Sequence, residues 1–214
     1  MSIPVIILTF DQSAELDCLR IGAMDFIPKP FPDIDIVKAR IAKCIELSEN
    51  RELIRHTERD RLTGLLNKDH FLRYVARLDQ IYMGTTLDAL AFDVNRFHSV
   101  NKHYGRQFGD LVLQRIGICL RSLAREVGGV SCREGGDTFL LYCPHREDID
   151  TRLRAFKKNV FSDQEIENRV TLRIGVFADA QLVADAEDRF VRAQVAAEKV
   201  KEDPEALCGF YDLT

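Results

Sequence analysis

The first sixty residues alternate between short apolar runs and helical spacing of apolar positions. Ile3 to Leu8 is an apolar, β-branched run that ends at Thr9, which is typical of a buried parallel strand. Leu16 to Ala23 contains apolar residues at helical spacing. Phe26 to Phe31 predicts a short strand closed by prolines, and a long helix is expected from about residue 34 to residue 57.

The remainder of the chain combines strands with amphipathic helices. Leu87 to Val94 predicts a strand with an acidic residue near its end, and the spacing from Phe108 to Leu123 predicts an amphipathic helix. Gly135-Gly136 separates two apolar runs, which indicates a β-hairpin. Val170 to Phe177 predicts a further strand, and Ala186 to Lys201 a final helix. This order predicts an α+β fold in which helices pack against an antiparallel sheet.

Composition and charge restrict the class of protein. The chain has 214 residues, of which 46% are hydrophobic and 30% are charged, as in ordinary globular proteins. A net charge of -4 argues against a broad nucleic-acid-binding face. No apolar run approaches the roughly 20 residues of a membrane helix, and the start of the sequence lacks a secretory signal. We therefore expect a cytoplasmic protein without nucleic-acid or membrane partners, whose six cysteines are reduced thiols.

The front of the chain carries receiver-like features: Thr9 at the end of an apolar strand, the segment Gly22 to Phe26, and Lys29-Pro30-Phe31. On these features, residues 1–45 resemble the last part of an α/β response-regulator receiver domain. The resemblance implies that Thr9 and Lys29 are switch residues, with a purely structural role for both as the alternative. The phosphoacceptor aspartate of that family lies on earlier strands that this sequence lacks. We therefore expect a partial receiver domain, taken from a longer response regulator, that cannot be phosphorylated in the family's manner.

Four further motifs follow in order: Asp60 to Asn67 (DRLTGLLN), Asp93 to Asp110 (DVNRFHSVNKHYGRQFGD), Arg133 to Phe139 (REGGDTF) and Val170 to Val176 (VTLRIGV). On these motifs, residues 60–214 resemble the GGDEF family of diguanylate cyclases, and residues 46–59 are expected to be a helical linker. The resemblance implies a palm domain similar to that of adenylyl cyclases, with an antiparallel sheet flanked by helices.

The resemblance also implies a site and a chemistry. GGDEF cyclases join two GTP molecules into cyclic di-GMP with the help of Mg²⁺ (or Mn²⁺), which neutralises the triphosphates. The matching positions imply metal ligands at Asp93, the carbonyl of Val94 and Asp137, the last also catalytic. They imply guanine-edge contacts at Asn101 and Asp110. The rest of the implied nucleotide site is Phe97, Gly135, Gly136 and Lys201.

Several positions depart from the family pattern. Thr138 replaces the second hairpin acid, and a hydroxyl brings no negative charge to hold a metal ion. Glu205 stands where the family has an arginine near the triphosphate. We therefore expect a degenerate domain that binds GTP or a related guanine nucleotide, or regulates, with little or no cyclase activity and a weakly held metal. An active diguanylate cyclase and a pure interaction scaffold are the alternatives.

Other roles stay open for several of these residues. Asn101 and Asp110 are alternatively helix caps, Phe97 and Phe139 core residues, and Lys201 a solvated lysine. The exposed edge of the receiver strand suggests pairing between two copies of the chain, hence a homodimer. The final segment, Cys208 to Asp212, resembles the link into an EAL phosphodiesterase domain, which is a possible partner domain in the full-length protein.

Overall fold

The computed structural model describes residues 4–31, 33–162, 166, 169–200 and 207–211, and it separates into two compact units, Met1–Thr57 and Glu58–Thr214. In the first unit, strand β1 (Ile6–Thr9) pairs in parallel with strand β2 (Asp25–Pro28). Helix α1 (Glu15–Arg20) connects these strands, and helix α2 (Ile34–Glu58) follows them. The predicted linker of residues 46–59 is helical as far as Glu58, and Arg59 forms an isolated β-bridge with Leu66.

The second unit is built on a five-stranded sheet in the order β4-β5-β3-β6-β7. The strands are β3 (Leu87–Val94), β4 (Val130–Gly135), β5 (Thr138–Pro144), β6 (Leu172–Phe177) and β7 (Gly209–Phe210). The helices are α3 (Lys68–Ile81), α4 (Phe97–Tyr104), α5 (Arg106–Val127), α6 (Ile149–Val160) and α7 (Ala186–Lys199). These elements confirm the predicted α+β class.

Helices cover both faces of this sheet. One core layer joins the sheet to α5 and α6, with Ile116 and Phe156 among its buried members. The other joins the sheet to α3 and α7, with Phe71 and Phe190 among its members. The central strand β3 therefore has apolar neighbours on both sides, which explains its nearly continuous apolar sequence.

The structure corrects the predicted sheet at its edge. Strand β7 pairs in parallel with β6, so the sheet is mixed rather than antiparallel throughout. This strand lies in the segment that resembles a link to a following domain, and here it completes the sheet of the second unit.

The periodicity did not predict helices α3 and α4. Helix α3 begins where the side chain of Asn67 accepts a hydrogen bond from the backbone of His70, a local capping signal. Helix α4 is only eight residues long and begins after Arg96, which has a left-handed backbone with φ of 53°. Few apolar positions reveal the spacing of the eight-residue α4. Helix α3 spans 14 residues and buries Phe71 and Val75 at helical spacing, so its sequence does carry a periodic signal.

Two further expectations can be compared with the described residues. All six cysteines are free thiols, as expected. Within the described ranges, no helix combines the length and apolar character that crossing a membrane requires.

Candidate functional site

Three strands bring three polar side chains into one row at the end of β3. Asp93 lies opposite Thr138 of β5 and opposite Arg173 of β6, both in antiparallel register. Side chains directly opposite each other in antiparallel strands project from the same face of the sheet. The row Thr138–Asp93–Arg173 therefore forms one polar strip on the sheet face that carries α7.

Arg173 forms an ion pair with Asp93 through its Nη2 atom. The arginine side chain is 13% exposed and that of Asp93 is 29% exposed, so little water screens the pair. The Nε and Nη1 atoms of Arg173 are buried, and within the described residues they have no hydrogen-bond partner. Arginine stays protonated in proteins, so this strip carries a fixed positive charge.

Asp137 lies close to this ion pair, on the turn of the β4–β5 hairpin. Burial raises the pKa of its carboxyl, and the negative charge of Asp93 raises this pKa further, while Arg173 opposes the change. Two carboxyl groups thus share one positive charge. The structure brings together Asp93 and Asp137, as the resemblance implied. It also places the guanidinium of Arg173 beside Asp93.

Helix α7 closes this strip into a pocket of about 290 Å³. Its C-terminal half supplies Gln194, Ala197 and Glu198 to the lining. The approach of α7 to the sheet depends on Gly175, because a Cβ there would lie 1.9 Å from the carbonyl oxygen of Ala193. The pocket therefore exists where a helix backbone rests directly on the sheet.

The residues implied for guanine recognition lie on two consecutive helices. Asn101 belongs to α4, and its Oδ1 atom is buried without a hydrogen-bond partner among the described residues. It faces Gly109 of α5, where a Cβ would lie 1.9 Å from that same Oδ1. Asp110 follows Gly109 and is exposed. An amide oxygen and a carboxylate thus lie on neighbouring helices, both able to accept hydrogen bonds.

The structure bears on some of the alternatives for these residues. Asn101 and Asp110 lie inside their helices, which begin after Arg96 and Gly105, so the helix-cap interpretation was wrong. Phe139 is fully buried in the core, whereas Phe97 is half-buried and packs against the same core.

The hairpin turn offers an open backbone surface. A Cβ added at Gly135 or Gly136 would meet nothing within 4 Å, and Gly136 has a left-handed φ of 54°. Val94, whose carbonyl the resemblance marks as a metal ligand, is buried at the end of β3. Lys201, Glu205 and Asp212 lie outside the described residues.

In the first unit, the structure brings the implied receiver switch residues together. The backbone nitrogen of Lys29 donates to the carbonyl oxygen of Thr9 at 2.7 Å. The Lys29 ammonium lies over the rings of Phe10 and Phe31, at 5.6 Å and 5.8 Å from their centroids. Their switch role stays a prediction.

An ion pair that the sequence did not reveal joins the motif Asp60 to Asn67 to the β4–β5 hairpin. Arg133 Nη1 donates to both carboxylate oxygens of Asp60 at 3.2 Å, and its Nη2 donates to the carbonyl oxygen of Gly136 at 2.6 Å. Thr63 adds hydrogen bonds from its backbone nitrogen and its hydroxyl to Asp60. Arg133 therefore links the first motif to the glycine turn.

Replacing Asp60 is expected to destabilise the protein in a pH-dependent way. Partial burial opposes ionisation of Asp60, but the hydrogen bonds from Thr63 and the charge of Arg133 outweigh it, so its pKa is lowered. Stability from such a group is present above the unfolded-state pKa and is lost as pH falls through the folded-state pKa. We expect Asp60→Ala to lower the free energy of unfolding by about 2 kcal/mol at pH 7. Urea unfolding measured from pH 7 to pH 3 should show this difference shrinking toward the acidic end.

A matched control uses the exposed acid Asp69 on α3. Asp69→Ala should change the free energy of unfolding by less than about 0.5 kcal/mol at either pH. An Asp60→Ala deficit that is the same at both ends of the pH range would contradict the role given to the ionised carboxylate.

The residues present do not fit a divalent metal ion. Among the described residues, no group of three His, Cys, Asp or Glu side chains is placed to hold one. Asp93 is already paired with Arg173, and Thr138 supplies no charge. Mg²⁺ is held by carboxylates together with substrate phosphates and water, and a guanidinium beside the ligand repels it.

Arg173 is one of the residues of this site that sequence reasoning missed. Its only signal was a charged residue inside the apolar strand sequence VTLRIGV. That signal acquires a meaning only when the register places Arg173 beside Asp93.

Comparison with known proteins gives concordant results. The sequence model of the family described as "Diguanylate cyclase, GGDEF domain" matches residues 57–206, more than half of the chain. Response regulator PleD of Caulobacter vibrioides is 28% identical over 193 residues, covering 79% of this chain and 41% of that protein. Diguanylate cyclase VdcA of Vibrio cholerae is 31% identical over 109 residues, covering 49% of this chain and 31% of that protein. The chain thus spans less than half the length of these relatives.

A solved structure shows the same fold. The coiled coil and GGDEF domain of DgcB from Caulobacter crescentus, in complex with c-di-GMP, superposes with a TM-score of 0.65. The match covers 81% of this chain and 98% of that one at 21% identity. At this identity the likeness shows the fold alone.

Proposed function

Because the chain belongs to the GGDEF family of cyclic di-GMP signalling domains, we propose that its second unit binds a guanine nucleotide and acts as a regulatory module with little or no cyclase activity. The observation that carries this proposal is the row Thr138–Asp93–Arg173. This row replaces one expected acid with a neutral hydroxyl and pairs the other acid with an arginine. Phosphoryl transfer between two triphosphates requires positive charge beside the phosphates. It also requires carboxylates that are not already paired, so that they can hold the metal ions.

Nucleotide recognition has separate support. The edge of guanine presents N–H donors, whereas the corresponding edge of adenine presents an amino group and an acceptor nitrogen. The buried Oδ1 of Asn101 lacks a partner among the described residues, and Asp110, which follows Gly109 on α5, is exposed. A guanine edge would satisfy both acceptors, and an unsatisfied buried acceptor otherwise costs free energy. Gly135 and Gly136 leave room for the phosphates.

Calorimetry with GTP tests this proposal. In Mg²⁺ buffer we expect one GTP site per chain and an affinity for ATP that is weaker by at least about tenfold. Asp110→Asn should weaken GTP binding by about tenfold, because the charge-assisted hydrogen bond loses its charge. Binding of neither nucleotide at high micromolar protein would contradict the proposal and favour an interaction scaffold.

A variant on α7 is the control for the negative charge that Asp110→Asn removes. Asp188 is exposed near the start of that helix, six residues before Gln194, the first α7 residue of the pocket lining, hence about 9 Å along the helix from the lining. Asp188→Asn should leave GTP affinity within about twofold, because an exposed charge at this distance is largely screened. An equal loss in both variants would show that net charge, rather than contact with guanine, controls binding.

The organisation of the whole protein is also a proposal. The likeness to a response regulator over 79% of this chain supports a receiver domain in front of the GGDEF domain. Pairing of two copies through the first unit, an EAL domain beyond residue 214 and a cytoplasmic location remain predictions from the sequence. Cyclase activity is the second candidate function, favoured by the retained Asp93 and Asp137, and an assay of cyclic di-GMP formation from GTP separates the two.

A further inference from the structure

We propose that Arg173 is a resident counter-ion that takes the place of a divalent cation beside Asp93, so that this pocket accepts guanine-nucleotide phosphates without Mg²⁺. This inference rests on the proposed function for its nucleotide, but its claim about the cation stands on the ion pair itself.

The first support is position: Arg173 lies directly opposite Asp93 in the β3–β6 ladder, so the backbone register fixes the contact. The pair does not depend on the chance orientation of a long surface side chain.

The second support is charge. With an acid at position 138 and a neutral residue at position 173, the strip and the neighbouring Asp137 would offer three negative groups: Asp93, Asp137 and the acid at position 138. With Thr138 and Arg173 it offers the two carboxyl groups of Asp93 and Asp137 and one permanent positive charge, while Glu198 of α7 adds a carboxyl group to the pocket lining in either case. Both changes act in the same direction, since each lowers the attraction for a cation and lowers the repulsion of a phosphate.

The third support is unused hydrogen-bonding capacity. The Nε and Nη1 atoms of Arg173 are buried without a partner among the described residues, beside a pocket of about 290 Å³. The guanidinium presents donors in a planar fork that matches phosphate oxygens. A phosphate oxygen in the pocket would satisfy these donors, which a hydrated metal ion cannot do.

Manganese titration without nucleotide tests the counter-ion directly. Electron paramagnetic resonance of free Mn²⁺ gives the affinity of the wild type and of Arg173→Met, which keeps the apolar stem and removes the charge. We expect Arg173→Met to bind Mn²⁺ at least about tenfold more tightly than the wild type. Arg173→Lys, which keeps the positive charge, should stay within about twofold of the wild type.

Two controls separate this effect from general electrostatics and from misfolding. Arg154→Met removes the same charge from the exposed face of α6, in the opposite helix layer, and should leave Mn²⁺ affinity unchanged. Asp93→Asn/Arg173→Met leaves no unpaired carboxylate at position 93, so it should fold and should lose the gain in Mn²⁺ affinity. Equal Mn²⁺ affinity in the wild type and Arg173→Met, with both folded by circular dichroism, would overturn the counter-ion.

The second part of the proposal, that the pocket accepts nucleotide phosphates without Mg²⁺, is tested by GTP calorimetry in EDTA and in Mg²⁺. The wild type should bind GTP within about twofold in the two buffers, whereas Arg173→Met should lose at least about tenfold in EDTA. Wild-type binding that disappears in EDTA would overturn metal-independent binding while leaving the proposed nucleotide function intact. Absence of GTP binding in both buffers would overturn metal-independent phosphate binding together with the proposed function. The Mn²⁺ comparison would still decide whether Arg173 acts as a counter-ion.

Discussion

Wild-type protein incubated with GTP and Mg²⁺ is expected to form cyclic di-GMP about a thousandfold more slowly than the variant Thr138→Glu/Arg173→Met. The variant restores one carboxylate and removes the guanidinium paired with Asp93, so the strip regains its negative charge. If this difference in charge changes the barrier by about 4 kcal/mol, the rate changes by roughly a thousandfold. Chromatographic detection of the product over several hours covers the required range.

The single variants show which defect limits activity. Thr138→Glu alone places a new carboxylate in the row with the Asp93–Arg173 pair, and Arg173→Met alone leaves Thr138 uncharged. Since the two positions share Asp93 as a neighbour, their effects should not add independently. We expect each single variant to remain at least about tenfold slower than the double variant. Thr138→Glu/Arg154→Met is the matched control and should behave as Thr138→Glu alone.

Clear turnover by the wild type at the rate of the double variant would contradict the regulatory function and establish the second candidate, an active cyclase. Activity in Thr138→Glu equal to that of the double variant would show that the missing hairpin acid was the sole defect. In that case Arg173 would not hinder the reaction.

The second large effect concerns stability. Gly175→Ala is expected to lower the free energy of unfolding by about 3 kcal/mol, near the upper end of the cost of overpacking a core. The added Cβ would lie 1.9 Å from the carbonyl oxygen of Ala193 and 2.3 Å from the backbone nitrogen of Ala197. Both obstacles are backbone atoms of α7, so the helix itself must move away from the sheet.

Thermal unfolding followed by circular dichroism measures this effect. For a chain of this size, about 3 kcal/mol corresponds to a fall in Tm of roughly 6–12 °C. Gly135→Ala is the control, because a Cβ there meets nothing within 4 Å and should change the free energy of unfolding by less than about 1 kcal/mol. A Tm for Gly175→Ala equal to that of Gly135→Ala would contradict the close packing of α7. Because α7 lines the pocket, Gly175→Ala should also weaken nucleotide binding.

The amino-acid sequence determined the local features of this protein. The apolar run at Leu87 to Val94 and the two glycines at positions 135 and 136 predicted the central strand and the hairpin turn, and both are present. These signals are local, because buried strands need apolar side chains and tight turns need glycine. Four ordered motifs gave the family, which the sequence comparison confirms. Helix α4 was missed because its eight residues offer few apolar positions, whereas Phe71 and Val75 were a local signal for α3.

The tertiary structure decided how distant charges are paired. Arg173 lies 80 residues from Asp93 and Arg133 lies 73 residues from Asp60. No local pattern indicates such partners, because strand register and the packing of loops on hairpins depend on the whole sheet. The buried amide oxygen of Asn101 facing Gly109 likewise follows from the packing of two helices. The sequence therefore predicted the acids of the candidate site, and only the folded sheet showed that Arg173 is paired with one of them, Asp93.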